Sequence, residues 1–340
     1  IIVAQGIRLA IVGATGAVGQ EMMKILWDRK FPVSELICMA DPKEAGQKLQ
    51  YGDQQVTVKA ARETEFANAD VALFAVNTEI SQLLAPAAKR YNCVVIDNSY
   101  AYRLDEQVPL VVPEVNPDDI AWHKGLISNP NCSTIILTVA INPIHQAVGL
   151  ERVIVSTYQA VSGAGIAGLN ELKKQAEAVH NNEEIKTEVF QYQIAFNLIP
   201  HIDSFVEEQY TKEEMKLVWE TRKIMHAPEL KIAATAVRVP VYRSHSEAVN
   251  LQTKQPLTAE AARKILSGAP GVIVQDDPNN NIYPMPLFTS LKDEVFVGRI
   301  RKDISCDQGI AFWIAADQIR KGAATNAIQI AEIVVKENLY

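Results

Sequence analysis

The segment that most restricts the fold is a short apolar run followed directly by closely spaced glycines. Ile7–Val12 is almost wholly apolar, as expected of a strand buried on both faces of a parallel sheet. It leads into Gly-Ala-Thr-Gly-Ala-Val-Gly at 13–19, and a helical pattern follows. This order of strand, glycine turn and helix is typical of dinucleotide-binding domains, in which the pyrophosphate lies on the helix N-terminus. The spacing is GxxGxxG rather than GxGxxG, so a glycine-rich turn without a ligand is the alternative interpretation.

The remaining strand patterns divide the chain into two parts. Apolar runs at 36–40, 71–76 and 93–97, separated by helical segments, predict an α/β, Rossmann-like, doubly wound parallel sheet. Alternating patterns at 153–159, 233–239, 248–253, 295–301 and 310–315 predict a second α+β domain on a mostly antiparallel sheet. A chain of 340 residues suits two domains. We place the first at 1–130 with a C-terminal helix from about 318 to 340, and the second at 131–317.

Shorter signals locate five further features of the second half. Thr211 and Glu214 form a capping-box pattern for a helix that extends to about Met225. The other predictions are a flexible glycine loop at 162–165, a helix at 169–179, a surface loop at 180–184 and an amphipathic helix at 323–339 that returns to the first domain.

Composition excludes several classes of function. A net charge of −7 argues against nucleic acid as a partner, and no apolar run is long enough to span a membrane. The first eight residues have no basic region or cleavage site, so we expect no secretory signal. The four cysteines are far apart and form no CxxC pair, which predicts neither a metal site nor disulfides and favours the reducing cytoplasm. Cys38 and Cys93 lie in apolar runs and are predicted core residues.

A candidate nucleophile lies in the segment Asn-Pro-Asn-Cys-Ser-Thr at 129–134. Pro130 and Asn131 predict a turn, and the apolar run that follows predicts a helix whose first turn contains Cys132. Unpaired N–H groups and the helix dipole favour a thiolate there, and Asn131 could help to bind an oxyanion. A small core cysteine is the alternative, because free cysteines are commonly buried.

Two charged residues follow the ends of predicted strands, where ligands of parallel sheets bind. Asp41 ends the second strand, a position from which an acidic residue contacts the ribose hydroxyls and opposes a 2′-phosphate. Lys43 has the opposite effect, so the residues leave the choice of nucleotide open. Arg103, beyond the strand at 93–97, is a candidate anion ligand, although a solvated surface arginine is the commoner case.

The sequence resembles aspartate-β-semialdehyde dehydrogenases over nearly its whole length. The matching stretches are GATGAVG (13–19), VVPEVN (111–116), NPNCST (129–134), STYQAVSGAG (156–165), EEMKLVWETRKI (213–224), VRVPVYRSHSEAV (237–249), VGRIRKD (297–303) and KGAATNAIQIAE (321–332). The resemblance implies reduction of L-aspartyl 4-phosphate by NADPH to L-aspartate 4-semialdehyde and phosphate, on the branch leading to lysine, threonine and methionine.

The resemblance also implies a role for each site residue. Cys132 would form an acyl thioester with Asn131 beside it, His245 would be the general acid/base, and Gln159 would orient the acyl group. Arg238 would bind the substrate carboxylate, Glu213 its amino group, and Arg103 with Lys216 the phosphate. On residues alone, Glu213 and Lys216 would be a helix-surface ion pair. The implied cofactor contacts are Gly13, Thr15, Gly16, Ala17, Val18, Asp41, Ser162, Gly163 and Asn326.

The resemblance leaves three alternatives open. Asp41-Pro42-Lys43 replaces the Ser-Arg type pair that family members often have for the 2′-phosphate, and Val76-Asn77-Thr78 replaces a Ser-Ala-Gly stretch. NADP is therefore the expectation, with NAD or dual use as the alternative. A homodimer is expected, with a tetramer as the other assembly. Another acyl-phosphate reductase, of the N-acetyl-glutamyl-phosphate or glyceraldehyde-phosphate type, and a non-catalytic paralogue are the other functions considered.

Overall fold

A computed structural model describes residues 6–340 of the chain. Residues 1–5, on which most of the secretory-signal prediction depends, lie outside the described residues. The chain forms two compact units, of which the first comprises the described residues up to Asn131 together with Ala323–Tyr340, and the second comprises Cys132–Gly322. Within residues 6–340, no helix has both the length and the apolar character needed to cross a membrane.

The regular elements are numbered in chain order. The strands are β1 (Ile7–Val12), β2 (Val33–Ala40), β3 (Lys48–Tyr51), β4 (Gln54–Thr57), β5 (Lys59–Ala60), β6 (Val71–Phe74), β7 (Val94–Asp97), β8 (Leu126–Ser128), β9 (Leu150–Gln159), β10 (Lys231–Arg238), β11 (His245–Thr253), β12 (Val272–Val274), β13 (Val295–Lys302) and β14 (Gly309–Ala316). The α-helices are α1 (Ala17–Asp28), α2 (Thr78–Arg90), α3 (Cys132–Val148), α4 (Gly165–Asn181), α5 (Lys212–Ile224), α6 (Ala259–Ser267), α7 (Pro286–Thr289) and α8 (Thr325–Lys336).

The first unit contains the predicted parallel sheet. Its strand order is β5-β2-β1-β6-β7-β8, and every neighbouring pair is parallel. The order reverses between β1 and β6, and ligands of doubly wound sheets bind beside such a point, at the carboxyl ends of the strands. The glycine segment that follows β1 is located there.

Apolar residues cover both faces of this sheet. One cluster includes Met22 and Leu26 of α1 with Ile328 of α8, and the other includes Leu84 and Ala88 of α2. The C-terminal helix therefore belongs to the core of the first unit, as predicted. It begins at Thr325 rather than at residue 323, because a π-helical turn, Arg320–Ala324, precedes it. The α/β, Rossmann-like fold class is confirmed.

The sheet of the second unit is mixed, and three of its five strand pairs are antiparallel. Its order is β10-β9-β11-β14-β13-β12, with antiparallel pairs in the centre and a parallel pair at each edge. Each parallel pair has a long connection, which contains α4 and α5 in one case and α7 in the other. The prediction of a mostly antiparallel sheet is therefore confirmed, although the alternating sequence did not indicate the parallel pair at each edge.

Two predictions in the second unit need correction. The glycine segment at 162–165 is not a flexible loop, because Val161–Ala164 forms a 3-10 helix and α4 begins at Gly165. Helix α4 also extends through His180 and Asn181, which were predicted to lie in a loop. The capping box is confirmed: Thr211 Oγ1 accepts the Glu214 N–H at 3.3 Å, and Glu214 Oε2 accepts the Thr211 N–H at 2.7 Å.

The predicted core cysteines are confirmed as buried. Cys38 lies in β2, and Cys93 directly precedes β7. Burial raises the pKa of both thiols to about 12, so neither is a thiolate at neutral pH.

Glu247 is a carboxyl group enclosed in the core of the second unit. It lies on β11, with Thr157 of β9 and Ile314 of β14 as its register partners. Its side chain is fully buried, and neither oxygen has a hydrogen-bond partner within residues 6–340. Burial raises the pKa of Glu247 well above the ordinary value of 4.5, so the native protein holds this group in its neutral form.

Replacement of Glu247 by Gln should change how stability depends on pH. Above the unfolded-state pKa, the unfolded chain loses this proton while the native protein keeps it. The free energy of unfolding of the wild type should therefore fall by up to about 1.4 kcal/mol per pH unit as the pH rises toward the native pKa. Glu247→Gln removes that dependence, so its stability relative to the wild type should increase from pH 5 to pH 8 in urea titrations.

A matched control is Glu229→Gln, which removes an exposed carboxylate from the same unit. Its stability should run parallel to that of the wild type over the same pH range. If the free energy of unfolding of Glu247→Gln also ran parallel to that of the wild type over this pH range, Glu247 would ionise normally in the native state.

Candidate active site

Three polar side chains lie in a row at one end of the second sheet. Arg238 ends β10 and is the register partner of Gln159, which ends β9. His245 begins β11, one residue before Ser246, which pairs with Tyr158. Aligned residues on neighbouring strands project from the same face, so all three point toward the buried side of the sheet. Sequence positions far apart are thus brought together by strand register.

Hydrogen bonds orient the carboxamide of Gln159. Its Oε1 accepts the Thr157 hydroxyl at 3.0 Å, and its Nε2 donates to Glu213 Oε1 at 3.1 Å. Thr157 lies two residues earlier on β9 and therefore on the same face. Because a hydroxyl donor faces one end of the amide and a carboxylate faces the other, the amide is held in a single orientation.

The backbone determines the tautomer of His245. The Ala160 N–H donates to Nδ1 at 3.0 Å, so Nδ1 carries no proton and the neutral ring carries its proton on Nε2. Burial, reinforced by the Arg238 charge and opposed by Glu213, lowers the pKa of His245 to about 3. The imidazole is therefore neutral at working pH and can donate a hydrogen bond from Nε2.

Arg238 keeps most of its hydrogen-bonding capacity for a ligand. Nη1 donates to the Ala160 carbonyl at 2.8 Å, and the guanidinium lies 5.9 Å from the ring centroid of Phe190. Burial lowers the pKa of Arg238, whereas the negative charges of Glu213 and of the Cys132 thiolate raise it. Arginine remains charged under these influences, and its free planar fork matches a carboxylate.

Cys132 is the first residue of α3, as predicted, and is partly exposed. The first turn of this helix contains no acidic residue, and the residues that follow Cys132 are buried. Two effects therefore favour a thiolate: the positive end of the helix dipole, and the Arg238 charge within electrostatic reach. A Cβ at Gly322 would lie 3.0 Å from the Cys132 Cβ, so the backbone there passes close to the cysteine.

Glu213 and Lys216 do not form a surface pair. Lys216 Nζ lies 3.0 Å from Glu213 Oε2 and 2.8 Å from Asp203 Oδ2, and both members of the helical pair are largely buried. Burial acts against the charged ammonium, but Glu213 and Asp203 outweigh it and raise the pKa of Lys216. The cluster therefore holds two carboxylates, one ammonium and the nearby Arg238 guanidinium, which balances its charge.

The short turn after β9 packs against these residues. The Ser162 hydroxyl accepts a hydrogen bond from Gln318 Nε2. A Cβ added to Gly163 would lie 2.7 Å from Arg238 Nη1 and 3.4 Å from His245 Cε1. Glycine at 163 thus leaves the space that the Arg238 guanidinium occupies.

The glycine segment of the first unit fits a dinucleotide. Gly13 has φ +86°, and a Cβ there would lie 2.3 Å from the Ala75 carbonyl oxygen, so only glycine is compatible with this turn. Gly16 is the N-cap of α1, no side chain caps that helix, and its first turn begins with Ala17 and Val18. Backbone N–H groups without a side-chain cap are those that bind a pyrophosphate.

Acidic groups lie beside this segment. The Thr15 hydroxyl donates to Glu44 Oε2 at 2.9 Å. Asp41 follows β2, and its Oδ1 accepts the Lys43 N–H at 2.9 Å, which caps a 3-10 helix at Pro42–Glu44. The position of Asp41 at the end of the strand is the predicted one.

The other predicted residues of the first unit are largely buried. Arg103 Nη2 donates to the Asn98 carbonyl at 2.6 Å. Asn326 is fully buried, with Nδ2 donating to Val111 O at 2.9 Å and Asn129 Oδ1 at 2.7 Å. Its amide nitrogen is therefore engaged within this unit rather than available to a ligand. Asn131, the last residue of the first unit before Cys132, is also buried.

Sequence reasoning did not select four residues that support the site. Asp203 pairs with Lys216, Thr157 and Gln318 orient neighbouring polar groups, and Glu44 accepts from the glycine segment. Only Thr157 had a local signal, its spacing of two residues from Gln159 on a strand. Within residues 6–340, no group of three His, Cys, Asp or Glu side chains could hold a metal ion.

Both halves of the chain match known protein families. Residues 8–123 match the semialdehyde dehydrogenase NAD binding domain, and residues 141–321 match the semialdehyde dehydrogenase dimerisation domain. An aspartate-semialdehyde dehydrogenase of Aquifex aeolicus is 52% identical over 338 residues, which cover 98% of this chain and 99% of the relative. That of Bacillus subtilis is 48% identical over 343 residues, with coverage of 98% and 99%.

Solved structures also resemble this chain over nearly its whole length. Aspartate semialdehyde dehydrogenase II of Vibrio cholerae has a TM-score of 0.95 and 45% sequence identity, and the match covers 98% of this chain and 99% of that one. A second structure of that protein, complexed with ASA, matches equally well. An aspartate semialdehyde dehydrogenase of Candida albicans, solved with NADP, has a TM-score of 0.78 at 25% identity and covers 98% and 100%.

Gly163→Ala should make Cys132 less reactive. The new methyl would displace the flexible end of Arg238, which removes a positive charge that favours the thiolate. We expect iodoacetamide to alkylate Cys132 about tenfold more slowly at pH 6, followed by peptide mass spectrometry. Gly268→Ala is the control, because a Cβ there meets no atom closer than 3.8 Å and should leave the rate unchanged. Equal rates in the two variants would contradict this role of Arg238.

His245 should give an imidazole signal that does not titrate between pH 5 and pH 8. Its buried ring stays neutral with the proton on Nε2, because its pKa is lowered to about 3 and Ala160 donates to Nδ1. Long-range ¹H–¹⁵N spectra of the histidine rings report both properties, and loss of one signal in His245→Gln gives the assignment. A titrating signal, or a proton on Nδ1, would disagree with the geometry.

Proposed function

Because the chain belongs to the aspartate-semialdehyde dehydrogenase family, we propose that it reduces L-aspartyl 4-phosphate to L-aspartate 4-semialdehyde and phosphate through a cysteine thioester. The observation that carries this proposal is the row of Arg238, Gln159 and His245 at the buried strand ends, with Cys132 in electrostatic reach of Arg238. This arrangement combines a nucleophile, a hydrogen-bond donor for the acyl oxygen and a ligand for a substrate carboxylate.

Cys132 attacks the acyl carbon as a thiolate. The helix N-terminus and the Arg238 charge both favour the thiolate, so the attack does not require a base at that moment. The acyl–oxygen bond to phosphate breaks as the carbon–sulfur bond forms. Asn131, which precedes Cys132, contributes an amide for the developing oxyanion.

His245 serves as a hydrogen-bond donor in the second half-reaction. A nicotinamide, when bound, would supply hydride to the thioester carbonyl. The Nε2–H of His245 can stabilise the resulting alkoxide, whose collapse breaks the carbon–sulfur bond and releases the aldehyde and the Cys132 thiolate. Gln159, whose amide orientation is fixed by Thr157 and Glu213, orients the acyl group.

The substrate ligands distinguish an amino-acid acyl phosphate from other acyl phosphates. Arg238 has a free fork for the α-carboxylate, and Glu213 lies beside it to receive the amino group. Lys216 and Arg103 are the proposed phosphate ligands. The relatives named above carry one enzyme name, which favours the aspartyl substrate over the N-acetyl-glutamyl and glyceraldehyde types. Every catalytic and binding role that the resemblance implies has a residue in this chain, which argues against a non-catalytic paralogue.

We also propose the setting in which the enzyme works. The reductant would be a nicotinamide dinucleotide held by the glycine segment; NADPH is what the family resemblance implies, and a relative has been solved with NADP. A homodimer is proposed from the dimerisation-domain match, with a tetramer as its further assembly. The four free cysteines favour the cytoplasm, and the product supplies lysine, threonine and methionine synthesis.

The test follows nicotinamide absorbance with aspartate semialdehyde and phosphate, using NADP and NAD separately. We expect phosphate-dependent reduction that Cys132→Ala lowers at least about a thousandfold, because the nucleophile is lost while the fold remains. Cys306→Ala, at a partly exposed cysteine outside the cluster, is the control and should stay active. Near-normal turnover in Cys132→Ala would exclude the thioester. If the folded wild type, with Cys132 reduced, showed no activity with either nucleotide, the proposed substrate would be excluded.

A further inference from the structure

The end of strand β2 lies beside the glycine segment of the nucleotide site. The N–H groups of Gly13 and Ala14 donate to the Met39 carbonyl at 2.8 and 3.0 Å, which ties the start of the glycine segment to the end of β2. In doubly wound folds the adenosine ribose binds at this strand end, where an acidic side chain accepts from its hydroxyls. The residues at 41–44 therefore face the group by which NADP differs from NAD.

Two carboxylates occupy this position. Asp41 follows β2 directly and is exposed, and Glu44 is half-buried against the glycine segment through its bond with the Thr15 hydroxyl. A 2′-phosphate carries a charge of about −1.5 to −2 at neutral pH, so both carboxylates would repel it. The ribose of NAD instead offers two hydroxyl donors, which carboxylates accept.

Within the turn at 41–46 and at the adjoining Thr15, the donors that could bind a 2′-phosphate are already engaged or weak. The Thr15 hydroxyl donates to Glu44, and the Lys43 N–H donates to Asp41. No arginine is present at 41–46, so this turn contains no bidentate phosphate ligand. The Lys43 ammonium is an exposed point charge, which salt screens.

From these contacts we infer that Asp41 and Glu44 make the enzyme select NAD(H) over NADP(H), contrary to the preference that the family resemblance implies. This inference rests on the proposed function only for its kinetic readout. The hydride step is unaffected, because the nicotinamide is the same in both cofactors. Selection therefore acts through nucleotide binding and should appear in KM rather than in kcat.

The decisive variant is Asp41→Asn combined with Glu44→Gln, which removes both charges and keeps the side-chain shapes and the oxygens that accept from Lys43 and Thr15. We expect the wild type to have the higher kcat/KM with NAD. The double variant should raise kcat/KM for NADP by about tenfold or more while changing kcat little. Glu35→Gln is the matched control, because it removes one exposed charge from the opposite end of β2 and should leave the ratio unchanged.

A calorimetric titration with NAD and with NADP separates this inference from the proposed reaction. If the enzyme is inactive with aspartate semialdehyde, the affinities still report selection, and tighter binding of NAD than of NADP supports the inference. Raising the salt concentration should narrow the difference, since charge repulsion is screened. A wild type that prefers NADP, or an affinity ratio that the double variant changes less than twofold, would overturn the inference even if the reaction is established.

Discussion

The proposed chemistry depends on the register of three neighbouring strands. Strands β10, β9 and β11 bring Arg238, Gln159 and His245 to one level of the sheet and point them into the same buried face. A slip of one residue in any of these strands would turn its polar residue to the opposite face. Continuous pairing along β9, with apolar residues below this level, is what keeps the register unique.

Burial of this row determines how each group ionises. Burial and the neighbouring Arg238 charge lower the pKa of His245 to about 3, so the ring remains a neutral hydrogen-bond donor at working pH. Arg238, Glu213, Lys216 and Asp203 remain charged together because each has an opposite charge close by. Glu247 has no such partner within the described residues and stays neutral. One sheet face therefore holds ionised and neutral titratable groups, according to whether a counter-charge is near.

The two units position their binding groups in different ways. In the first, the glycine segment needs backbone freedom, and the residues after β2 decide which nucleotide fits. In the second, side chains are held by hydrogen bonds with other side chains and with the backbone of Ala160, whose N–H donates to His245 and whose carbonyl accepts from Arg238. The backbone of one residue thus orients both a hydrogen-bond donor and an anion ligand.

The sequence by itself determined the parallel sheet, the glycine turn, the helix start at Cys132 and the capping box at Thr211, because each depends on contacts between residues close in the chain. Resemblance supplied the identities of His245, Arg238 and Gln159, for which local patterns contain no signal. Only the tertiary structure decided that the second sheet is mixed, that Asp203 pairs with Lys216, that Asn326 is enclosed, and that His245 carries its proton on Nε2. These features depend on which distant segments become neighbours, and pairing direction, burial and counter-charges arise only when the strands and helices pack together.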